Sequence, residues 1–202
     1  MYAHSKITSD KKLSEMPTDY FRTVKPAALT QSVYETDPDF NAIWDLVTTP
    51  EGRIYLSICA EQSVSRSAKF CEYLPKTGEF VDHFDVGEVT LHPSRAMPPS
   101  KIHTSMSRLP DGRIIMSTHT TAAPPGHPAW MMDAYYNHLW EGYPGSHVLI
   151  FDPKTGEVEN FGMPVARDTI YGGAYDAKHH CFYFATMLRG MVYALDLNTR
   201  EV

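Results

Sequence analysis

The segment PEGRIYLS at residues 50–57 returns in the chain as PDGRIIMS at residues 110–117. A second segment, YLPKTGEF at residues 73–80, returns as FDPKTGEV at residues 151–158 and in weaker form as LDLNTREV at residues 195–202. The two segments alternate along the chain, and each contains a tight-turn signal between β-rich runs. The repeating unit therefore holds two tight turns and the short strands that they connect.

This repeat predicts an all-β fold built from antiparallel units of four short strands. Tandem units of this kind are typical of β-propeller blades. A β-sandwich is the alternative, but a sandwich does not predict the same pair of turns recurring in the same order. The repeat predicts about three blades, at residues 43–86, 102–162 and 170–202.

A closed propeller generally has about 4–8 blades, so about three blades predict a partial ring. We interpret the chain as a fragment of a longer polypeptide, with one part of an oligomeric ring as the alternative. The propeller part is predicted at residues 41–202, preceded by an arm at residues 1–40. Residues 21–33 of that arm could supply a closing strand.

Composition excludes several classes of function. The formal net charge of −6 gives no basic field for nucleic acid or an anionic membrane. No segment is apolar enough for a membrane span, and residues 1–22 lack the apolar core of a signal peptide, which predicts a cytoplasmic protein. Three cysteines without paired spacing predict buried thiols instead of disulfides or a zinc site, namely Cys59, Cys71 and Cys181.

Two histidines belong to the hairpin that turns at residues 110–112. Polar and apolar residues alternate at residues 102–107, which places His103 on the channel side of the innermost strand. His103 lies eight residues before Asp111 and His119 lies eight after it, so an antiparallel register makes them cross-strand neighbours. Histidines so placed could serve as general base and acid; a structural pair is the alternative.

The insertion at residues 120–146 is long and rich in aromatic residues. Loops of this length are usually functional or disordered, and aromatic faces with polar tips suit a sugar. A lid packed on a neighbouring blade or subunit is the alternative. Three arginines could bind a carboxylate or could be plain surface residues, namely Arg66, Arg167 and Arg189.

Three short segments resemble the core of seven-bladed propeller polysaccharide lyases. They are KIHTS at residues 101–105, PDGR at residues 110–113 and THTT at residues 118–121. The resemblance is nearest to the rhamnose–glucuronate and oligogalacturonate lyase groups. It implies β-elimination at a uronate in an oligosaccharide, with His103 and His119 as base and acid.

The same resemblance implies roles for residues around the histidines. Tyr136 or Tyr135 would be an alternative acid or base, and the three arginines would be carboxylate partners. The sugar platforms would be Trp130, Trp140 and Tyr143. A divalent metal in the channel is compatible with these residues, although none of them requires it.

Two other classes of function stay open. A metal-dependent lactonase or hydrolase of the gluconolactonase kind would need acidic ligands, for which Asp45 and Asp176 are the candidates. A noncatalytic propeller would use the repeats as a scaffold and the aromatic loop for binding. Fold alone does not separate these classes. The expected partner is an oligosaccharide or another small molecule, and self-association or association with a missing remainder of the chain is compatible with a partial ring.

Overall fold

The computed structural model describes Tyr34 and residues 39–60, 66–127 and 138–202. The first sheet is antiparallel and has its four strands in chain order. Its strands are β1 Ala42–Thr48, β2 Ile54–Cys59, β3 Lys69–Leu74 and β4 Glu79–Asp85. A short helix, α1 at Val86–Val89, follows the sheet, and Asp85 caps its first turn by accepting from the backbone N–H groups of Gly87 and Glu88.

The second sheet has a divided inner edge. Two short strands, β5 Lys101–Ile102 and β6 Ser107–Arg108, both pair with β7 Ile114–His119. The sheet continues outward through β8 Gly145–Phe151 and β9 Val158–Ala166. The third sheet has three strands in chain order, β10 Ile170–Asp176, β11 Cys181–Thr186 and β12 Val192–Asp196.

These sheets confirm the predicted fold class. The described residues form antiparallel sheets of the blade type, about three in number, and these sheets do not close a ring. Most of the predicted arm at residues 1–40 lies outside the described residues, so the arm and its closing strand stay predictions. No helix in the described part of the chain is long and apolar enough to cross a membrane.

The repeated turns have the same backbone geometry in the first two sheets. Gly52 has a φ of 80° and Gly112 a φ of 95°, values that favour glycine because a Cβ atom crowds the backbone there. The Gly52 N–H donates to the Thr49 carbonyl and the Gly112 N–H to the Leu109 carbonyl, each at 3.0 Å. The recurring Pro-acid-Gly sequence is thus explained by one turn used twice.

Adjacent sheets pack through continuous apolar layers. The layer between the first two sheets is built largely from aromatic and branched side chains, including Tyr55, Phe70, Ile102, Ile114 and Phe151. The layer between the second and third sheets includes Ile115, Ile150, Phe182, Phe184 and Leu195. Removing these side chains from water stabilises the array, at about 25 cal/mol per Å² of apolar surface.

Arginines join neighbouring sheets beside the repeated turns. The Arg53 guanidinium donates to both carboxylate oxygens of Glu72, at 2.7 and 2.6 Å, and to the Pro153 carbonyl of the second sheet at 3.2 Å. Between the second and third sheets, Arg200 forms an ion pair with Glu159. Arg113 lies 3.8 Å from the same carboxylate.

Candidate functional site

The inner edge of the second sheet is interrupted at residues 103–106. Near the turn, Ser107 pairs with Ile115 and Arg108 with Ile114. Beyond the interruption Lys101 pairs with His119, so the inner chain has gained two residues relative to β7. The partner of His119 in the ladder is therefore Lys101, whereas the uninterrupted register predicted His103.

The two imidazole rings are nevertheless close, as the hairpin predicted. Their centroids lie 5.3 Å apart. Thr104, the residue after His103, has a left-handed φ of 43°, which is uncommon for a β-branched residue. This local turn of the backbone brings His103 back toward His119 although the ladder register has shifted.

Hydrogen bonds from other strands hold the interrupted segment in place. Asp45 of β1 accepts from the backbone N–H groups of Ser105 and Met106, the latter at 2.8 Å. The Ser105 hydroxyl accepts from the Ser117 N–H at 3.0 Å and donates to the Ser117 carbonyl at 3.2 Å. Burial raises the pKa of the Asp45 carboxyl against the opposing effect of its hydrogen bonds.

His103 lies between two aromatic rings from neighbouring sheets. Its ring is stacked 5.0 Å from Trp44 of β1 and lies 4.3 Å from Tyr171 of β10, measured between centroids. Its Nδ1 is 2.8 Å from the Tyr171 carbonyl oxygen. Because a carbonyl only accepts, this contact assigns the proton to Nδ1 and leaves a lone pair on Nε2 of the neutral ring.

His119 is buried and uncharged at neutral pH. Only 1% of the residue is exposed, and its Nδ1 lies 2.7 Å from the Thr169 hydroxyl. Its Nε2 has no hydrogen-bond partner among the described residues. Burial, and next the electrostatic interactions with His103 and Lys101, lower the pKa of His119 to about 3.

A buried lysine completes this group. Lys101 is 5% exposed, and its Nζ lies 4.3 Å from the centroid of the Trp44 ring. We call the five residues Trp44, Lys101, His103, His119 and Tyr171 the inner-strand cluster. It joins side chains from three sheets and unites a cation, two imidazoles and two aromatic faces in one place.

Sequence reasoning found only the two histidines of this cluster. Lys101 is part of the segment KIHTS at residues 101–105, but it was assigned no role from the sequence. Trp44 and Tyr171 were assigned no role either. Trp44 and Tyr171 each lie near the start of the inner strand of their own repeat, as His103 does in the second repeat. Superposing the repeats on their inner strands would have found them.

Two of the three predicted arginines, Arg66 and Arg167, have contacts outside the inner-strand cluster. Arg66 lies 3.4 Å from Asp39 and 5.0 Å from the centroid of the Phe40 ring. Arg167 donates to the carbonyls of residues 138 and 139 in the second-sheet insertion, both at 2.8 Å. Arg189 is exposed in the turn between β11 and β12.

The aromatic insertion is only partly described. Trp130, Tyr135 and Tyr136 lie outside the described residues, and their roles stay predictions. Trp140 is 71% exposed, so its ring is accessible to a ligand. Tyr143 is 1% exposed and its hydroxyl lies 2.7 Å from Thr118 Oγ1, so it supports β7 and presents no ring face to a sugar.

The two acidic candidates for a metal site are engaged in local structure. Asp45 holds the interrupted segment, and Asp176 accepts from the Lys178 N–H at 2.8 Å and lies 2.6 Å from Nδ1 of His179. Within the described residues, no group of three or more histidine, cysteine, aspartate or glutamate side chains is arranged to hold a metal ion.

Comparison with known proteins identifies no family. No family model matches the chain, and no curated protein matches it. Among solved structures, the crystal structure of the tricorn protease is similar with a TM-score of 0.28 and 14% sequence identity. That similarity covers 79% of this chain and 18% of the tricorn protease chain.

Proposed function

We propose that the protein is a carbohydrate-active lyase that cleaves a uronate-containing glycoside by β-elimination at the inner-strand cluster. One observation carries this proposal: His103, with a lone pair on Nε2, lies between two partly exposed aromatic rings and close to a lysine. Trp44 is 42% and Tyr171 47% exposed, so both rings can contact a ligand. A base, a cation and aromatic faces to bind the sugar are three of the groups that uronate elimination uses, beside the acid that protonates the leaving oxygen.

The reaction assigns a step to His103. Its Nε2 removes the proton on the carbon α to the uronate carboxylate. The electron pair of that C–H bond forms the new C4–C5 double bond, and the bond from C4 to the glycosidic oxygen breaks. An acid then donates a proton to the departing oxygen. The products are a sugar with a free hydroxyl and an unsaturated uronate.

Neighbouring residues are assigned according to their charge. Lys101 is the cation that stabilises the negative charge developing on the carboxylate. His119, uncharged at neutral pH, acts as a hydrogen-bonding group, and Trp44 and Tyr171 stack on the sugar. Tyr136 stays the candidate acid.

The test is the ultraviolet absorbance of an unsaturated uronate, followed while the protein is incubated with a panel of uronate-containing oligosaccharides. We expect turnover, and a loss of about 100-fold or more in kcat for His103→Gln. His179→Gln is the matched control because that imidazole is exposed in a turn. Absence of absorbance across the panel would refute the lyase activity, and a wild-type rate for His103→Gln would refute the site.

A noncatalytic sugar-binding module is the second candidate. The observation favouring it is the low pKa of His119, which leaves the inner-strand cluster without a histidine acid at neutral pH. This function predicts binding of the same oligosaccharides without turnover. Trp44→Ala would then weaken binding in calorimetry, while no unsaturated product forms.

A further inference from the structure

The repeated turns of the first two sheets enclose a cavity of about 470 Å³. Its walls come from the β1–β2 turn, the β6–β7 turn and the β8–β9 turn. The inner-strand cluster lies at the opposite end of β7. Since β7 runs from Ile114 to His119, roughly 17 Å separate the two ends at about 3.3 Å per residue. The cavity is therefore a separate place in the fold.

Two charged groups in the cavity wall are neutralised within the protein. Arg53 is held by both oxygens of Glu72. Asp111 accepts from Nε of Arg113 at 2.8 Å. Neither group therefore contributes an unbalanced charge to the cavity.

The other charged groups leave an excess of one positive charge. They are two cations, Arg108 and Lys154, and one anion, Glu51. The Nζ of Lys154 makes a long contact, 3.5 Å, with the Asp111 carbonyl, and Arg108 is exposed on β6. The sign of this local charge is opposite to that of the chain as a whole, whose net charge is −6, so the cavity wall can attract an anion.

Apart from Thr49 and Gly112, the remaining wall is apolar. This apolar part is formed by the prolines of all three turns together with a buried leucine, namely Pro50, Leu109, Pro110 and Pro153. Ligand cavities of about 300–1,000 Å³ typically combine apolar walls with a few polar groups that orient the ligand. An apolar body would lie against the prolines, and an anionic head would meet the two cations.

The geometry points to a second binding site here, for a small organic carboxylate with an apolar body. The Arg108 guanidinium suits bidentate recognition of a carboxylate, and Lys154 adds a point charge. A single negative charge on the ligand balances the excess charge of the wall. Nothing in this site depends on the lyase activity.

The test is a set of three probes with the same ring and different heads: benzoate, benzylamine and benzyl alcohol. Binding to the full chain is measured by NMR from shifts of the Gly112 and Lys154 amide signals. Benzoate should bind, and at equal concentration the amine and the alcohol should bind at least about 10-fold more weakly. Raising the salt concentration should weaken benzoate binding, because dissolved ions screen the attraction between solvent-exposed charges.

Variants locate the site. Arg108→Gln should weaken benzoate binding about 10-fold, and Arg108→Lys should recover part of that loss. Arg95→Gln is the matched control, since Arg95 is exposed and lies outside the cavity wall. Equal binding of all three probes, no binding of benzoate, or wild-type affinity in Arg108→Gln would overturn the proposal. Circular dichroism of Arg108→Gln verifies that a loss reflects the missing cation.

Discussion

The inner strands of the first and second sheets both end at a copy of the same turn, but their pairing away from the turn differs. β1 pairs with β2 along its whole length, with one irregularity between Ile43 and Asp45. The inner edge of the second sheet leaves the ladder at residues 103–106 and rejoins it two residues out of register. The second sheet thus gives up ladder hydrogen bonds at the place where His103 enters the inner-strand cluster.

The first sheet compensates for this loss. The backbone N–H groups of Ser105 and Met106 no longer donate within their own sheet, and the Asp45 carboxylate accepts both. The inner strand of the first sheet therefore holds the interrupted segment of the second. This difference teaches that the repeat builds a scaffold, and that the candidate site arises where the inner strands depart from regular register, by one residue at Trp44 and at Tyr171 and by two residues in the second sheet.

Asp45→Ala removes that support and should have the largest effect. Two backbone N–H groups in partly buried hydrogen bonds lose their acceptor, each at a cost of about 1–3 kcal/mol. We expect the free energy of unfolding to fall by about 4 kcal/mol, measured by chemical denaturation. Asp176→Ala is the matched control, because its carboxylate serves an exposed turn and should cost about 1 kcal/mol or less. Equal denaturation midpoints for the two variants would show that Asp45 does not hold the interruption.

The pH dependence of stability tests the burial of His119. Its pKa is about 3 in the folded protein and 6.5 in the unfolded chain, so between these values only the unfolded chain binds the proton. The contribution of His119 to the free energy of unfolding is therefore fully present above pH 6.5. It falls as the pH drops toward 3, by up to about 1.4 kcal/mol per pH unit.

His119→Gln removes this contribution. Between pH 6.5 and 5 the free energy of unfolding of the wild type should fall by about 2 kcal/mol more than that of the variant. Burial also lowers the pKa of His83 and His92, but both proteins share those groups. Parallel pH profiles for the two proteins would contradict an uncharged, buried His119.

Two adjacent glycines of β10 lie against the interrupted segment on the side opposite to Asp45. Substituting them should lower the stability by less than the two changes above. The Gly173 N–H donates to the Thr104 carbonyl at 3.1 Å. A Cβ at Gly173 would overlap the Phe182 ring, whereas a Cβ at Gly172 would lie 3.0 Å from the rotatable Thr104 hydroxyl. Gly173→Ala should cost about 1.5 kcal/mol and Gly172→Ala clearly less, as measured by thermal unfolding. A larger loss of stability for Gly172→Ala than for Gly173→Ala would show that Gly173 does not pack tightly against the Phe182 ring.

Local features of the fold were predictable from the sequence because local chemistry determines them. The recurring turn requires a positive φ at Gly52 and Gly112, and both have it. Strand order followed from tight turns, which join neighbouring antiparallel strands. Next to the turn, even the register was predictable, since Arg108 pairs with Ile114 as counted from the hairpin.

The remaining features depend on residues distant in sequence. The two-residue shift needs the carboxylate of Asp45, which lies 60 residues before Ser105 in the chain. The low pKa of His119 results first from burial and next from the interactions with His103 and Lys101, and the spacing of residues in the sequence does not reveal that burial. Trp44 and Tyr171 meet His103 only after the sheets pack. The composition of the candidate site therefore depends on packing between distant residues, whereas the turns and the strand order depend on local sequence.

Two arginine contacts join neighbouring sheets, one made by Arg53 and one by Arg200, and we call them the first and the second joint. They differ in how many substitutions they tolerate. Arg53 binds its neighbour through the main-chain carbonyl at Pro153, and any amino acid at that position supplies such a carbonyl. Arg200 binds its neighbour through the side chain of Glu159, which few substitutions replace. Evolution can thus alter the second sheet's turn without loosening the first joint, whereas the second joint requires arginine and glutamate to change together.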